Sequence, residues 1–136
     1  MIAIQQRVIY GDTDQMGVVY YGNYLRYFEA ARNEFIRSKG LRYRDFEEQY
    51  SLLLPVIEAH VNYRQPARYD DLLSVEIALS DAGRASARFD YRILRDETLL
   101  VTGHTVHACM DLAGKARRLP PELLAKLSVG EALAGG

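Results

Sequence analysis

The chain has 136 residues and a formal net charge of −1, which is one domain's worth of protein, long enough to bury a core and short for two. So balanced a charge offers no basic field for nucleic acid, and a mean hydropathy of −0.19 leaves no apolar run long enough to span a bilayer. A single cysteine, Cys109, excludes an internal disulfide, and residues 1–7 lack the zones of a secretion signal, so a soluble cytoplasmic protein is expected.

Residues 2–10 alternate Ile2, Ile4 and Val8 against Ala3, Gln5 and Arg7, which predicts a strand with one face toward a core. A polar loop over 11–20 follows. From Tyr21 to Lys39 the apolar positions Tyr24, Leu25, Phe28, Ala31, Phe35 and Ile36 recur at helical spacing, and Gly40 supplies a left-handed stop. Tyr27 and Ala30 lie off that stripe, which predicts a second buried contact for this helix, with a partner subunit as its source. A short helical turn near 45–50 precedes strands over about 52–65, 72–81, 85–95 and 99–112, separated by turn-forming segments such as Asp81-Ala82-Gly83-Arg84. Pro120-Pro121 starts a last short helix to Leu127, and the tail from about 129 to 136 is expected to be flexible. The reading is a single α+β domain over 1–136, an antiparallel sheet packed on one long helix.

The chemistry concentrates between strand and helix. Asp12 and Asp14 sit in a tight loop that runs past Gly17 and Val18 into the helix. Asp-Thr-Asp before a helix is the composition of a capping loop. The same loop can also perform acyl chemistry, because unpaired N–H groups at a helix start polarise a carbonyl while Asp14 attacks its carbon or activates a water. Ten tyrosines and no tryptophan make an unusual aromatic balance. Three of them, Tyr20, Tyr21 and Tyr24, crowd the helix entry, where amphipathic rings suit a partly wet pocket.

Other chemistries fit less well. The spacing D-x-D-x-x-G opens like a calcium loop, yet Met16 stands where an oxygen ligand is needed and Asn23 where a bidentate Glu belongs. His104 and His107 are three apart on a strand, hence on opposite faces, so no metal site is expected. Cys109 reads as a small core residue, and Glu29, about 12 Å along the helix from Tyr21, as a structural hydrogen bond or ion pair. Lys115, Arg117 and Arg118, joined by Arg84 and Arg88, form a basic cluster that is either a solvated face or a contact for a phosphorylated cofactor tail.

Three segments carry a resemblance: Tyr10-Gly11-Asp12-Thr13-Asp14 with Gly17-Val18-Val19-Tyr20-Tyr21 and Tyr24; Arg26-Tyr27-Phe28-Glu29-Ala30-Ala31-Arg32; and Tyr63-Arg64-Gln65-Pro66-Ala67-Arg68-Tyr69-Asp70-Asp71-Leu72-Leu73. Together they resemble the hotdog-fold acyl-CoA thioesterases of the 4-hydroxybenzoyl-CoA thioesterase type, including the YbgC-like enzymes. The resemblance implies a five-stranded antiparallel sheet wrapped around the long helix, a homodimer or homotetramer with active sites at the dimer interface, and hydrolysis of an acyl-CoA. Coenzyme A enters as part of the substrate, with no other cofactor. By position it implies Asp14 as nucleophile or general base, the Tyr21 backbone N–H as oxyanion donor and Tyr10 beside the site. Gly17, Val18, Tyr20 and Tyr24 then belong to the acyl site and the basic cluster to the CoA phosphates. The YbgC-like branch commonly carries a histidine where this chain has Tyr21, so no general-acid histidine is transferred. Readings from other classes are a non-catalytic acyl-CoA-binding or assembly subunit on the same fold, an acyl-thioester dehydratase and a bare structural module.

Overall fold

The strand pattern of the sequence resolves into a sheet because its two longest hairpins bury alternate residues. The computed structural model describes residues 2–127. In chain order these form β1 (Ile2–Arg7), α1 (Asn23–Ser38), α2 (Tyr43–Tyr50), β2 (Leu52–Leu53), β3 (Val56–Tyr63), β4 (Leu72–Ala82), β5 (Ser86–Arg95), β6 (Thr98–Ala108), β7 (Met110–Asp111) and α3 (Pro121–Leu127). The main sheet has five antiparallel strands in the order β1-β4-β5-β6-β3, which is the expected hotdog arrangement around one long helix. Leu73, Val75, Ile77 and Leu79 of β4 and Ala87, Phe89, Tyr91 and Ile93 of β5 are buried on the helix side. Arg88 and Asp90 point to the other face, as period-two alternation requires.

Tyr24, Tyr27, Phe28, Ala31, Phe35 and Ile36 are the buried face of α1. Phe28 stacks on Tyr91 with ring centroids 4.1 Å apart, and Phe35 meets Phe89 edge-on at 5.9 Å. Gly103 on β6 makes the close approach possible: a Cβ there would lie 2.7 Å from the Phe28 ring and 2.5 Å from the His60 carbonyl oxygen. The helix ends as expected, with Gly40 at φ +80° and its N–H donating to the Arg37 carbonyl at 2.9 Å. Tyr27, for which the sequence predicts a contact with a partner, is instead buried within its own chain.

The strand expected over 2–10 stops at Arg7, because the chain turns into a short 3-10 helix at Tyr10–Asp12, and three further boundaries differ from expectation. Helix α1 begins at Asn23 instead of Tyr21, because a turn closed by Asn23 N–H donating to the Tyr20 carbonyl at 2.9 Å precedes it. The strand expected over 52–65 is broken at Leu54-Pro55, where proline supplies no N–H. The strand expected over 99–112 is broken at Cys109, whose N–H turns to the Ala85 carbonyl at 2.8 Å. The detached ends, β2 and β7, pair in a second small sheet. The flexible tail expected over 129–136 lies outside the described residues.

Candidate active site

The loop between β1 and α1 separates its two aspartates. Asp12 is buried; its carboxylate accepts from the Tyr27 hydroxyl at 2.8 Å and from Arg26 at 3.2 Å. Its carbonyl accepts from the Tyr20 N–H and the Asn23 side-chain amide, both at 2.9 Å. Asp12 therefore ties the loop to the first turns of α1. Burial and the Asp12 carboxylate both push the Tyr27 phenol above its usual range, so it stays a donor.

Asp14 is only half-buried. One of its oxygens, Oδ1, accepts the Met16 N–H at 2.9 Å, and its backbone closes the loop through Asp14 N–H to the Val18 carbonyl and Gly17 N–H to the Asp14 carbonyl. Gly17 turns this loop at φ +80°, a conformation that glycine adopts without strain. Among the described residues Oδ2 has no hydrogen-bond partner.

Asp14 lines a cavity of about 230 Å³ together with Val18, Tyr21, Tyr24, Tyr63 and Pro66. Tyr63 reaches it from the end of β3, and its hydroxyl donates to the Tyr21 carbonyl at 3.1 Å. The Tyr24 hydroxyl accepts the Ala67 N–H at 3.2 Å. The Tyr21 N–H has no acceptor among the described residues, and Tyr21, just before the α1 N-terminus, lines the same cavity as the half-exposed Asp14 carboxylate. That pairing can hold a carbonyl oxygen near an amide while a carboxylate works on its carbon.

The other sequence candidates divide. Val18 and Tyr24 line this cavity, Gly17 shapes its loop, and Tyr20 lies against the Tyr21 ring at 4.5 Å without being part of the lining. Tyr10 is 73 % exposed, stacks on Tyr69 at 3.9 Å and is not among the residues that line the cavity. Arg84, Lys115, Arg117 and Arg118 sit at the far end of the sheet, where Ser86 pairs with Ala108, whereas Tyr63 pairs with Val101. Arg117 bridges to Asp111 at 3.0 Å. Arg88 faces away from the helix and bridges to Asp90 at 3.0 Å. Sequence reasoning missed Tyr63 and Arg64 as cavity residues; the signal was their place in the third segment of the resemblance.

A second cavity, about 500 Å³, opens farther along α1 between Glu29, Arg32, Ile36, Val56, Phe89 and His107. Glu29 is exposed there and makes no hydrogen bond or ion pair among the described residues, contrary to the structural role expected of it. His107 is buried, and its Nδ1 lies 2.9 Å from the Leu54 carbonyl. His104 is on the other face, as expected, with its ring over His60 at 5.3 Å. Cys109 is fully buried, and burial raises its thiol pKa, which keeps it an inert core residue.

The sequence profile of the Thioesterase-like superfamily matches residues 8–127. The 1,4-dihydroxy-2-naphthoyl-CoA hydrolase of Synechococcus elongatus is 34% identical over 88% of this chain and 89% of its own. The acyl-CoA thioesterase YbgC of Haemophilus influenzae is 37% identical over 78% of both chains. The crystal structure of a 1,4-dihydroxy-2-naphthoyl-CoA thioesterase from Synechocystis superposes with a TM-score of 0.85 at 26% identity, covering 93% of this chain and 94% of that one.

Proposed function

The chain belongs to the hotdog-fold enzymes of the Thioesterase-like superfamily, and we propose that it hydrolyses acyl-CoA thioesters with Asp14 as the reacting carboxylate. The observation that supports this reading is the cavity that Asp14 and Tyr21 both line, with the Tyr21 N–H without an acceptor among the described residues. The Met16 N–H orients one carboxylate oxygen and leaves the other for the substrate. Asp14 either adds to the thioester carbon, giving an anhydride that water then cleaves, or takes a proton from a water that adds directly. In both forms the carbonyl electron pair moves onto oxygen, where the Tyr21 N–H and the positive end of α1 stabilise it. The C–S bond then breaks, and the CoA thiolate leaves.

We read the active unit as a homodimer joined through β3. This strand is a sheet edge, seven of its eight residues are exposed, and such an unpaired edge is a template for another strand. Antiparallel pairing of β3 with its copy about a two-fold axis sets the Val56 end of one protomer beside the Tyr63 end of the other. The Asp14 cavity lies at Tyr63 and the larger cavity at Val56, so each Asp14 would face its partner's larger cavity. The partner's Arg84, partner's Lys115, partner's Arg117 and partner's Arg118 would come to the same end, within reach of CoA phosphates.

Asp14→Asn keeps the acceptor for Met16 but removes the nucleophile and base. Its expected effect is a loss of at least about a thousandfold in thiol release from acyl-CoA, with the fold retained. Undiminished release overturns the assignment. Sedimentation is expected to give a dimer or larger; a fully active monomer would remove the shared site.

A further inference from the structure

A hydrogen-bonded chain crosses the protein interior and ends on an arginine in the larger cavity. The Arg32 guanidinium lies 3.1 Å from the Tyr91 hydroxyl, that hydroxyl 2.7 Å from Thr105 Oγ1, and Thr105 Oγ1 2.9 Å from His107 Nε2. Its direction follows from the far end. The Leu54 carbonyl can only accept, so His107 Nδ1 carries the proton. Burial, with the Arg32 charge adding to it, lowers the His107 pKa and keeps the ring neutral, so Nε2 accepts. Thr105 must then donate to His107, Tyr91 must donate to Thr105, and Arg32 must donate to Tyr91.

Arg32 is thereby held by one of its five N–H groups against a neutral oxygen. Among the described residues no carboxylate pairs with it. Two neighbours in the same cavity are neutralised: Arg37 pairs with Glu34, and Arg42 with Asp45. Glu29, one turn before Arg32 and in the same cavity wall, makes no such pair among the described residues. The cavity thus has an apolar wall of Ile36, Leu54, Val56 and Phe89 and two guanidinium groups without a carboxylate partner among the described residues, Arg44, which is exposed, and Arg32, which is half-buried and fixed by the chain behind it. A pocket with an apolar wall and a fixed, unneutralised guanidinium accepts a ligand that packs an apolar length on that wall and presents an anionic oxygen to the guanidinium.

We infer that Arg32 binds an oxyanion at the far end of the acyl group, either a second carboxylate or an ionised ring hydroxyl, in the active site that its partner's Asp14 completes. This rests on the thioesterase reading and its β3 dimer. Guanidinium matches such an oxygen through paired N–H groups. Tyr91, Thr105 and His107 are positioning residues: they hold the guanidinium without neutralising it.

The test compares matched substrates that differ only at the far end: glutaryl-CoA against pentanoyl-CoA for a carboxylate, and 4-hydroxybenzoyl-CoA against benzoyl-CoA for a ring oxygen. The wild type is expected to prefer the oxygen-bearing member of at least one pair by about tenfold or more in kcat/KM, and the pair concerned identifies the source of the oxyanion. Arg32→Met is expected to erase that preference and Arg32→Lys to restore part of it. Tyr91→Phe should weaken it through KM more than kcat. Absence of any preference in the wild type, or equal losses on both members of a pair in Arg32→Met, overturns the inference while leaving hydrolysis intact. If the wild type hydrolyses no thioester, the thioesterase reading fails separately. Calorimetric binding of glutarate and 4-hydroxybenzoate then decides: binding lost in Arg32→Met supports the oxyanion site, and binding absent or unchanged overturns it. Should Arg32→Met fail to fold, Arg32→Lys and Tyr91→Phe carry the same comparison, and an unchanged preference in both overturns it.

Discussion

Tyr27 donates its hydroxyl hydrogen to the Asp12 carboxylate at 2.8 Å inside the protein, and this bond divides the labour of two carboxylates that stand two residues apart. Asp12 is a fastener between loop and helix. Asp14, closed into its own turn and half-buried at a cavity, is left for a substrate.

Removing the fastener should cost stability. Asp12→Ala leaves the buried Tyr27 hydroxyl without its acceptor, and a loss of about 2–3 kcal/mol is expected by denaturant unfolding. The Arg26 partner adds little, because its guanidinium is largely exposed. Asp14→Asn, which keeps the Met16 bond, should stay within about 0.5 kcal/mol of the wild type. Equal destabilisation by the two substitutions would contradict the division.

The contact between α1 and β6 has no room for a methyl group. Gly103→Ala drives a Cβ against both the Phe28 ring and the His60 carbonyl, and strand backbone cannot yield as a flexible side chain does. Overpacking of this kind is expected to cost about 3 kcal/mol or to prevent folding. The midpoint of chemical denaturation measures it, and an unchanged midpoint would mean that the helix does not seat there.

His107 makes stability depend on pH in one direction. Burial is the main cause that lowers its pKa from 6.5 in the folded chain. Below pH 6.5 the unfolded chain therefore binds a proton that the native chain refuses. Stability contributed by the neutral ring is fully present above that value and is lost as pH falls toward the native pKa. Unfolding free energies measured between pH 7.5 and 5.5 should decline, and His107→Gln should flatten the decline. Asp45 and Asp111 act lower. The Arg42 side chain holds the first below 3.8, and the Lys115 N–H chiefly does so for the second, so their contributions fade as pH falls through and below that value.

Much of the architecture was legible because it is written locally. Alternation along β4 and β5 names their buried faces, and the apolar spacing from Tyr24 to Ile36 names the helix face. The polar loop before the helix and Gly40 after it mark its ends to within two residues. The breaks at Pro55 and Cys109 were harder to read, since each detached end depends on a partner more than fifty residues away in the chain.

By itself the sequence determined the fold class, the course of the strands and the loop that holds the reactive candidate, since periodicity and turn chemistry act over a few neighbouring residues. The tertiary structure alone decided which aspartate is buried, because that needed Tyr27 from the second turn of α1. It also brought Tyr63 from a sheet edge to Asp14, and linked Arg32 through Tyr91 and Thr105 to His107. Those meetings depend on strand order and on the angle at which a helix crosses a sheet, and no local pattern of apolar and polar residues encodes either.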